Sequence, residues 1–447
     1  MAPGISPTSM SRRRFIQTSG ACAASVMLGG GAAFAQAAGK KPNIVLILAD
    51  DLGYGDLGCY GATDMLTPNI DRLAAEGKRF TDAYSCAPLC SPARAGMLTG
   101  RYPQRFGFEF NSFPRSTGGW GLPDSERLFS EDLKAAGYAT GLVGKWHLGP
   151  GANQHPLKHG FDEFFGFIGG KHRYLEEGRK DPNSPLLRGM EVVEEKEYLT
   201  EAFTREAVSF IGRNRQRPFF LYLAPNAVHV PLQKPPEKYL SRVAKIADEP
   251  RRIFAAILAA LDDQVGAVKA KLKELGLLEN TLVVFMSDNG GAIGPSKNGQ
   301  LRGVKTDLFE GGIRVPMILN WAGKIKAGVD AGLASILDLY PTFLSVAAAA
   351  RGADRAALEG FNLLDGGARH DALFWRYGPE KAVRSGKWKL VGLKDRSHQL
   401  FDLTADIGEK NDLAEKEPGR VKGLLEQWKK WDAKNIEPKW AGYQKNE

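Results

Sequence analysis

Cysteine is scarce in this chain, with four in 447 residues. So few thiols exclude a disulfide scaffold, and the fold has to be held by a packed core. Past the N-terminal segment no apolar stretch is long enough to cross a membrane, which excludes a stable span in the mature chain. Basic runs interleaved with stacking aromatics are missing, which argues against nucleic acid as a partner. Internal repeats and long low-complexity linkers are missing as well. Acidic residues are the minority charge, 51 against 60 Lys and Arg, for a formal net charge of +9. Such an excess suits an anionic substrate but is common on ordinary surfaces. The length admits one large α/β domain with an appendage, or two to three ordinary domains.

The N-terminus reads as a leader. Ser11-Arg12-Arg13-Arg14-Phe15-Ile16-Gln17 resembles the twin-arginine export signal, and an Ala/Gly-rich run with small residues at Ala33, Ala35 and Ala37 follows. Residues 1–37 are expected to be removed on export to a bacterial periplasm, with the twin-arginine translocase as partner during maturation. Cys22 leaves with them, so Cys59, Cys86 and Cys90 remain, and nothing in the sequence pairs them.

Four apolar runs end in polar residues. Run 43–48 ends in Asp50-Asp51, 139–143 leads to Lys145 and His147, 219–224 leads to His229, and 282–286 ends in Asp288-Asn289. Continuous apolar runs predict strands buried on both faces of a parallel sheet. Ligands of such sheets lie beyond the carboxyl ends of the strands, so these polar groups are expected to share one crevice. Helices are predicted from Thr67-Pro68 to Gly77, from Asp124-Ser125 to Gly137, over about 200–213 and over 253–275. This alternation makes the chain α/β. After Tyr340-Pro341 and an alanine-rich helix, the runs 372–375, 381–384, 388–391 and 399–401 predict a small antiparallel sheet, closed by a helix over about 418–431. The expected organisation is a leader 1–37, a catalytic domain 38–368 and a C-terminal α+β subdomain 369–447.

Cys90-Ser91-Pro92-Ala93-Arg94, followed by Leu98-Thr99-Gly100, sets a thiol, a helix start and a cation in one segment. Ser91 is expected to cap the helix and Pro92 to fit its first turn, leaving Cys90 beside unpaired backbone N–H groups and the positive end of the dipole. Arg94, one turn on, can offer a forked guanidinium to the same anion. A cysteine at a helix start is by itself more often a buried small residue. With its Leu-Thr-Gly tail, however, the pentapeptide resembles the motif of the type I sulfatases, which are formylglycine-dependent, arylsulfatase-like enzymes. Gly144-Lys145-Trp146-His147, Phe309-Glu310-Gly311-Gly312-Ile313-Arg314-Val315-Pro316 and Leu400-Phe401-Asp402-Leu403 extend the resemblance over nearly all of the mature chain. Ala93 stands where the commoner family form has Ser, while the Cys, Pro and Arg positions are intact.

That resemblance implies an alkaline-phosphatase-like sulfatase fold: a large mixed, mostly parallel sheet between helices, with a small C-terminal antiparallel sheet plus helix. It implies that Cys90 is converted to formylglycine by a formylglycine-generating system. One calcium ion per subunit would be held by Asp50, Asp51, Asp288 and Asn289, with residue 90 against the metal. Arg94, Lys145 and Lys305 would neutralise the sulfate oxygens, His147 would accept a proton near residue 90, and His229 would donate one to the departing alcohol.

Read without the resemblance, several of these residues are weaker. Adjacent acids after a strand are as often turn residues as ligands. A second strand ending in Asp288-Asn289 makes an oxygen-only set suited to calcium or magnesium. Lys145 and His147, two apart, would point to one side of an extended backbone. His229 could equally be a satisfied loop histidine, and Gly303-Val304-Lys305 is a short, common string. His155, His159, His172, His370 and His398 lack any such context. Two other functions compete with sulfate-ester hydrolysis: a phosphomonoester or phosphonate ester hydrolase of the same superfamily, and a non-catalytic sulfated-glycan binding protein. Acids for only one full metal site favour sulfate. Segments 103–123, with Arg105, Phe106, Phe108, Glu109 and Trp120, and 169–193 are expected to form the rim that selects the aryl or sugar alcohol.

Overall fold

The four apolar runs become the strands Asn43–Ala49, Ala139–Lys145, Phe219–Ala224 and Thr281–Ser287. In the sheet they are consecutive neighbours and mutually parallel, in the order 281–287, 43–49, 219–224, 139–145. The computed structural model describes residues 1, 4, 40–112, 120–175, 184–352, 356–366 and 369–441. The expected leader lies outside these apart from Met1 and Gly4. Pro42–Glu447 forms one compact unit, and Met1–Lys41 is a separate one.

The main sheet has ten strands. Beyond Thr281–Ser287 come the antiparallel Met317–Asn320, then Lys78–Phe80 and Gly328–Asp330. Beyond Ala139–Lys145 come the parallel Glu163–Phe167 and the antiparallel Leu186–Arg188 and Glu191–Val192. The central strands are buried along their whole length and largely apolar, because both faces are covered. Ile44, Leu46, Leu48, Val284 and Met286 pack with residues of the helices Cys90–Thr99, Phe129–Ala135 and Leu339–Ala347. Val45, Ile47, Val283 and Phe285 pack with Pro68–Ala75, Leu199–Arg213 and the long helix Glu249–Glu274.

Two helix starts differ from the expectation. Asp124-Ser125 form a turn, and the helix begins only at Phe129, where the Glu131 carboxylate accepts the Leu128 N–H at 3.3 Å. Thr67 does not cap Pro68–Ala75 through its side chain, which donates to Asp71. Asp262, from the long helix, instead accepts the N–H groups of Asn69 and Ile70 at 3.0 and 2.8 Å, a tertiary cap that local sequence cannot announce.

The C-terminal sheet is antiparallel throughout, in the order Ala372–Tyr377, Glu380–Ser385, Trp388–Gly392, Gln399–Asp402, with the helix Pro418–Asp432 beside it. Its Leu373, Trp375, Ala382, Val391 and Phe401 share a core with Tyr84, Leu308, Phe309 and Ile313. Cys59, Cys86 and Cys90 are all free thiols. Among the described residues no helix is long and apolar enough to cross a membrane.

Candidate active site

Parallel strand ends deliver the site. Asp50 and Asp51 follow Asn43–Ala49 directly, Asp288 and Asn289 follow Thr281–Ser287, Lys145 closes its strand, and His229 lies in the loop after Phe219–Ala224. Short backbone bonds lock these ends together: Asp50 N–H to Ala227 C=O at 3.0 Å, Val228 N–H to Asp50 C=O at 3.0 Å, and Asp288 N–H to Ala49 C=O at 3.2 Å. Cys90 is the first residue of a fully buried helix. Its Sγ lies 3.4 Å from both Asp50 Oδ1 and Asp51 Oδ1, and 3.1 Å from Lys305 Nζ. One candidate ligand atom from each of Asp50, Asp51, Cys90 and His229 falls within 4.8 Å of the others.

Charge in this pocket is balanced by buried pairs. Lys145 Nζ donates to the two Asp50 oxygens at 2.9 and 2.7 Å, and Lys305 Nζ donates to Asp51 Oδ2 at 2.8 Å. Asp50, Asp51 and Asp288 thus face Arg94, Lys145 and Lys305, three anions against three cations. Burial alone would raise the Asp50 carboxyl, but Lys145, His229, Arg94 and Lys305 together hold it far below the usual carboxylate range. Asp288 is pushed up to about 6 by burial and by repulsion from Asp50 and Asp51, against the pull of Arg94. Burial lowers His147 well below the ordinary histidine value, with Lys145 and Arg94 adding to it, and lowers His229 against the pull of Asp50 and Asp51. His147 is therefore neutral near pH 7. Burial and the Asp51 charge raise the Cys90 thiol far above its ordinary value, so an unmodified Cys90 is a protonated, poor nucleophile.

Oxygen donors dominate the cluster, which is what a hard divalent cation requires. Asn289 Oδ1 is buried without a partner, while its Nδ2 donates to Asp51 Oδ1 at 2.9 Å. The two ends of an amide side chain are interchangeable in shape, and exchanging them would turn an oxygen toward Asp51. The donor chemistry fits a hard cation, and the ligand atoms that gather within 4.8 Å are those of Asp50, Asp51, Cys90 and His229, with Asn289 beside Asp51.

Three positions depart from their expected geometry. Ser91 does not cap the helix: Leu89 holds the cap position, and the Ser91 hydroxyl donates to the His147 carbonyl. Lys145 and His147 do not share an extended backbone, because the strand ends at Lys145 and His147 turns left-handed at φ 62°. Arg94 lies behind the site, its guanidinium on Asp288 at 2.9 and 2.8 Å, Asp50 at 3.6 Å and the Lys145 carbonyl at 3.2 Å. Asp51 at φ 59° and the β-branched Thr306 at φ 82° join His147 in left-handed backbone. Such residues each cost on the order of 1–3 kcal/mol, and here they flank Asp50, Lys145 and Lys305.

Of the expected rim, residues 113–119 and 176–183 lie outside the described residues, and the named residues of 103–112 turn inward. Phe106, Phe108 and Glu109 are buried, Arg105 pairs with Glu359, Glu109 pairs with Arg376 of the C-terminal sheet, and Trp120 stacks on Trp440. These residues dock the C-terminal region and leave the neighbouring Asn111 and Ser112 to touch the site. Asn111 Oδ1 accepts the Ser91 N–H at 3.1 Å, and the Ser112 carbonyl lies 3.2 Å from His147 Nε2. Neither residue has a sequence signal of its own.

With this geometry in place, the likeness to known proteins is specific. A family model described as Sulfatase matches residues 42–349. The chain belongs to the sulfatase family. It is 41% identical over 386 residues to N-acetylgalactosamine-6-sulfatase of Canis lupus familiaris, covering 79% of this chain and 72% of that protein. It is 38% identical over 408 residues to arylsulfatase A of Homo sapiens, covering 83% and 78%. The chain spans 66% of the human N-acetylgalactosamine-6-sulfatase. The crystal structure of Ps i-CgsB in complex with k-i-k-neocarrahexaose superposes with a TM-score of 0.85 at 36% identity, covering 90% of this chain and 95% of that one. This sulfatase is accordingly a sulfuric ester hydrolase with the alkaline-phosphatase-like fold of its relatives.

Proposed function

We propose that the chain hydrolyses a carbohydrate sulfate, using Cys90 as formylglycine and a calcium ion held by Asp50, Asp51, Asp288 and Asn289. The observation that carries this reading is the position of Cys90 Sγ, between two buried carboxylates and the Lys305 ammonium. When bound, the cation supplies Lewis-acid charge at the sulfate oxygens, and the converted side chain supplies a hydroxyl nucleophile that the protonated thiol cannot.

The chain's own side chains do the rest. Lys305, the partly exposed cation of the pocket, meets the sulfate, and Lys145 behind it fixes Asp50. Arg94 orients Asp288 and Asp50. His147 has a buried Nδ1 without a partner and a depressed pKa, which suits it to accept a proton. His229 Nδ1 lies 2.6 Å from the Val230 carbonyl, which can only accept, so Nδ1 carries a hydrogen and Nε2 faces the site, where it gives a proton to the leaving oxygen from the imidazolium form that Asp50 and Asp51 favour. The names of the sulfatase and of the neocarrahexaose complex among the relatives favour a sulfated sugar over a simple aryl ester. The separate C-terminal sheet supports the division into a catalytic domain 38–368 and a subdomain 369–447. The twin-arginine motif supports a periplasmic destination.

The decisive measurement is the mass of the Cys90 peptide from protein produced with a formylglycine-generating system, together with hydrolysis of matched sugar sulfates and phosphates before and after chelation. An aldehyde in place of the thiol and faster, calcium-restored sulfate release are expected. An intact thiol in active protein, or faster phosphate release, would refute the reading.

A further inference from the structure

The turn that carries His229 is bridged by a buried phenol. Tyr174 is buried, and its Oη lies 2.9 Å from both the Asn226 and the His229 carbonyl oxygens, the two ends of the turn. Within the turn the His229 N–H donates to the Asn226 carbonyl at 2.7 Å. Tyr174 is itself fixed: its ring stacks on Tyr198 at 5.5 Å and 14°, and its N–H donates to Gln233 Oε1 at 2.7 Å. Gln233 Nε2 donates to the Leu175 carbonyl at 2.9 Å, so one side chain clamps both faces of this segment. Burial keeps the phenol protonated and able to donate.

We propose that Tyr174, braced by Gln233, is a positioning residue that sets His229 for proton transfer to the leaving oxygen. This rests on the assignment of His229 as the proton donor. The Asn226–His229 turn follows the strand Phe219–Ala224, and its Ala227 and Val228 pair with the Asp50 backbone. Asn226 Nδ2 also anchors the start of the turn, donating to the His172 carbonyl at 3.1 Å, but it is the Tyr174 hydroxyl that reaches the His229 carbonyl itself, so the hydroxyl sets the angle at which Nε2 faces Asp51, 3.5 Å away. General acids contribute 10²–10⁴-fold, and most where the leaving group is a poor one.

The test compares kcat of Tyr174→Phe, Gln233→Ala and His229→Ala on 4-nitrophenyl sulfate and on phenyl sulfate, whose leaving group depends far more on protonation. Tyr174→Phe keeps the ring and its stacking, and Gln233→Ala provides a second route to the same displacement should the first variant fold poorly. Both are expected to lose about tenfold more rate on phenyl sulfate than on the nitrophenyl ester, with KM little changed and in the same direction as His229→Ala. Equal losses on the two esters for Tyr174→Phe and Gln233→Ala, with His229→Ala still discriminating, would overturn the positioning role alone. If His229→Ala does not discriminate either, the assignment of His229 and this proposal fall together.

Discussion

Replacing Lys145 with methionine keeps the length of the side chain and deletes one charge at the centre of the pocket. Lys145 Nζ and the Asp50 carboxylate are both fully buried and in contact through two bonds of 2.9 and 2.7 Å. Removing one partner of a buried pair costs about 3–5 kcal/mol, because the other is left as an uncompensated charge. Arg94, 3.6 Å from Asp50, remains and softens the loss, which places the expected value near the lower end, about 3 kcal/mol. The comparison is Lys238→Met: Lys238 is 62% exposed and pairs with Glu201 at 2.9 Å. Such an exposed pair is worth about 0–1 kcal/mol. Both variants are unfolded in denaturant, once with chelator and once with calcium. In chelator Lys145→Met should be the less stable by about 2 kcal/mol or more. Calcium should recover much of that gap, since a dication at the site proposed above would supply the missing charge and would bind only the folded state. Equal stability of the two variants would refute the buried-pair reading. A gap untouched by calcium would refute the shared site.

Two further outcomes follow from the same structure. Gly144 has φ 117°, and a Cβ there would lie 2.1 Å from the Ala224 carbonyl oxygen, so Gly144→Ala should lower stability by about 3 kcal/mol or more and displace the adjacent Lys145. Gly137→Ala, at φ 88° in open space, should cost only the backbone strain of about 1 kcal/mol, and thermal unfolding of the pair separates clash from strain. Burial and the neighbouring Glu310 push Glu409 up to about 7, with Lys389 opposing. A carboxyl whose folded pKa is raised favours folding while protonated in the folded state, so its contribution is complete below about 4.5 and is lost as pH rises through about 7. Glu409→Gln should therefore leave stability near pH 5 little altered and raise it near pH 8, and denaturant midpoints at the two pH values check the sign.

The four central strands were legible because runs such as 44–48 and 282–286 are apolar at every position, too short for a buried helix and suited to a sheet covered on both faces. That reading also carried Asp50, Asp51, Asp288 and Lys145 to one end of the sheet, since parallel strands present their carboxyl ends together. Residues whose placement depends on loop geometry were read less well. His147 was expected on an extended backbone and is left-handed. Asp124-Ser125 looked like a helix start because both residue types are good caps, but the pair forms a turn and the helix starts at Phe129, where Glu131 takes up the Leu128 N–H.

The sequence by itself determined the strand cores, the alternation with helices and the residue types that reach the pocket, because apolar periodicity and donor chemistry are written locally. Only the tertiary structure decided which cation faces which carboxylate, which carbonyl the Tyr174 hydroxyl reaches, and that 103–112 docks the C-terminal sheet. Those pairings join residues far apart in the chain, and their strength depends on burial and on distances of a few ångströms, which no local pattern encodes.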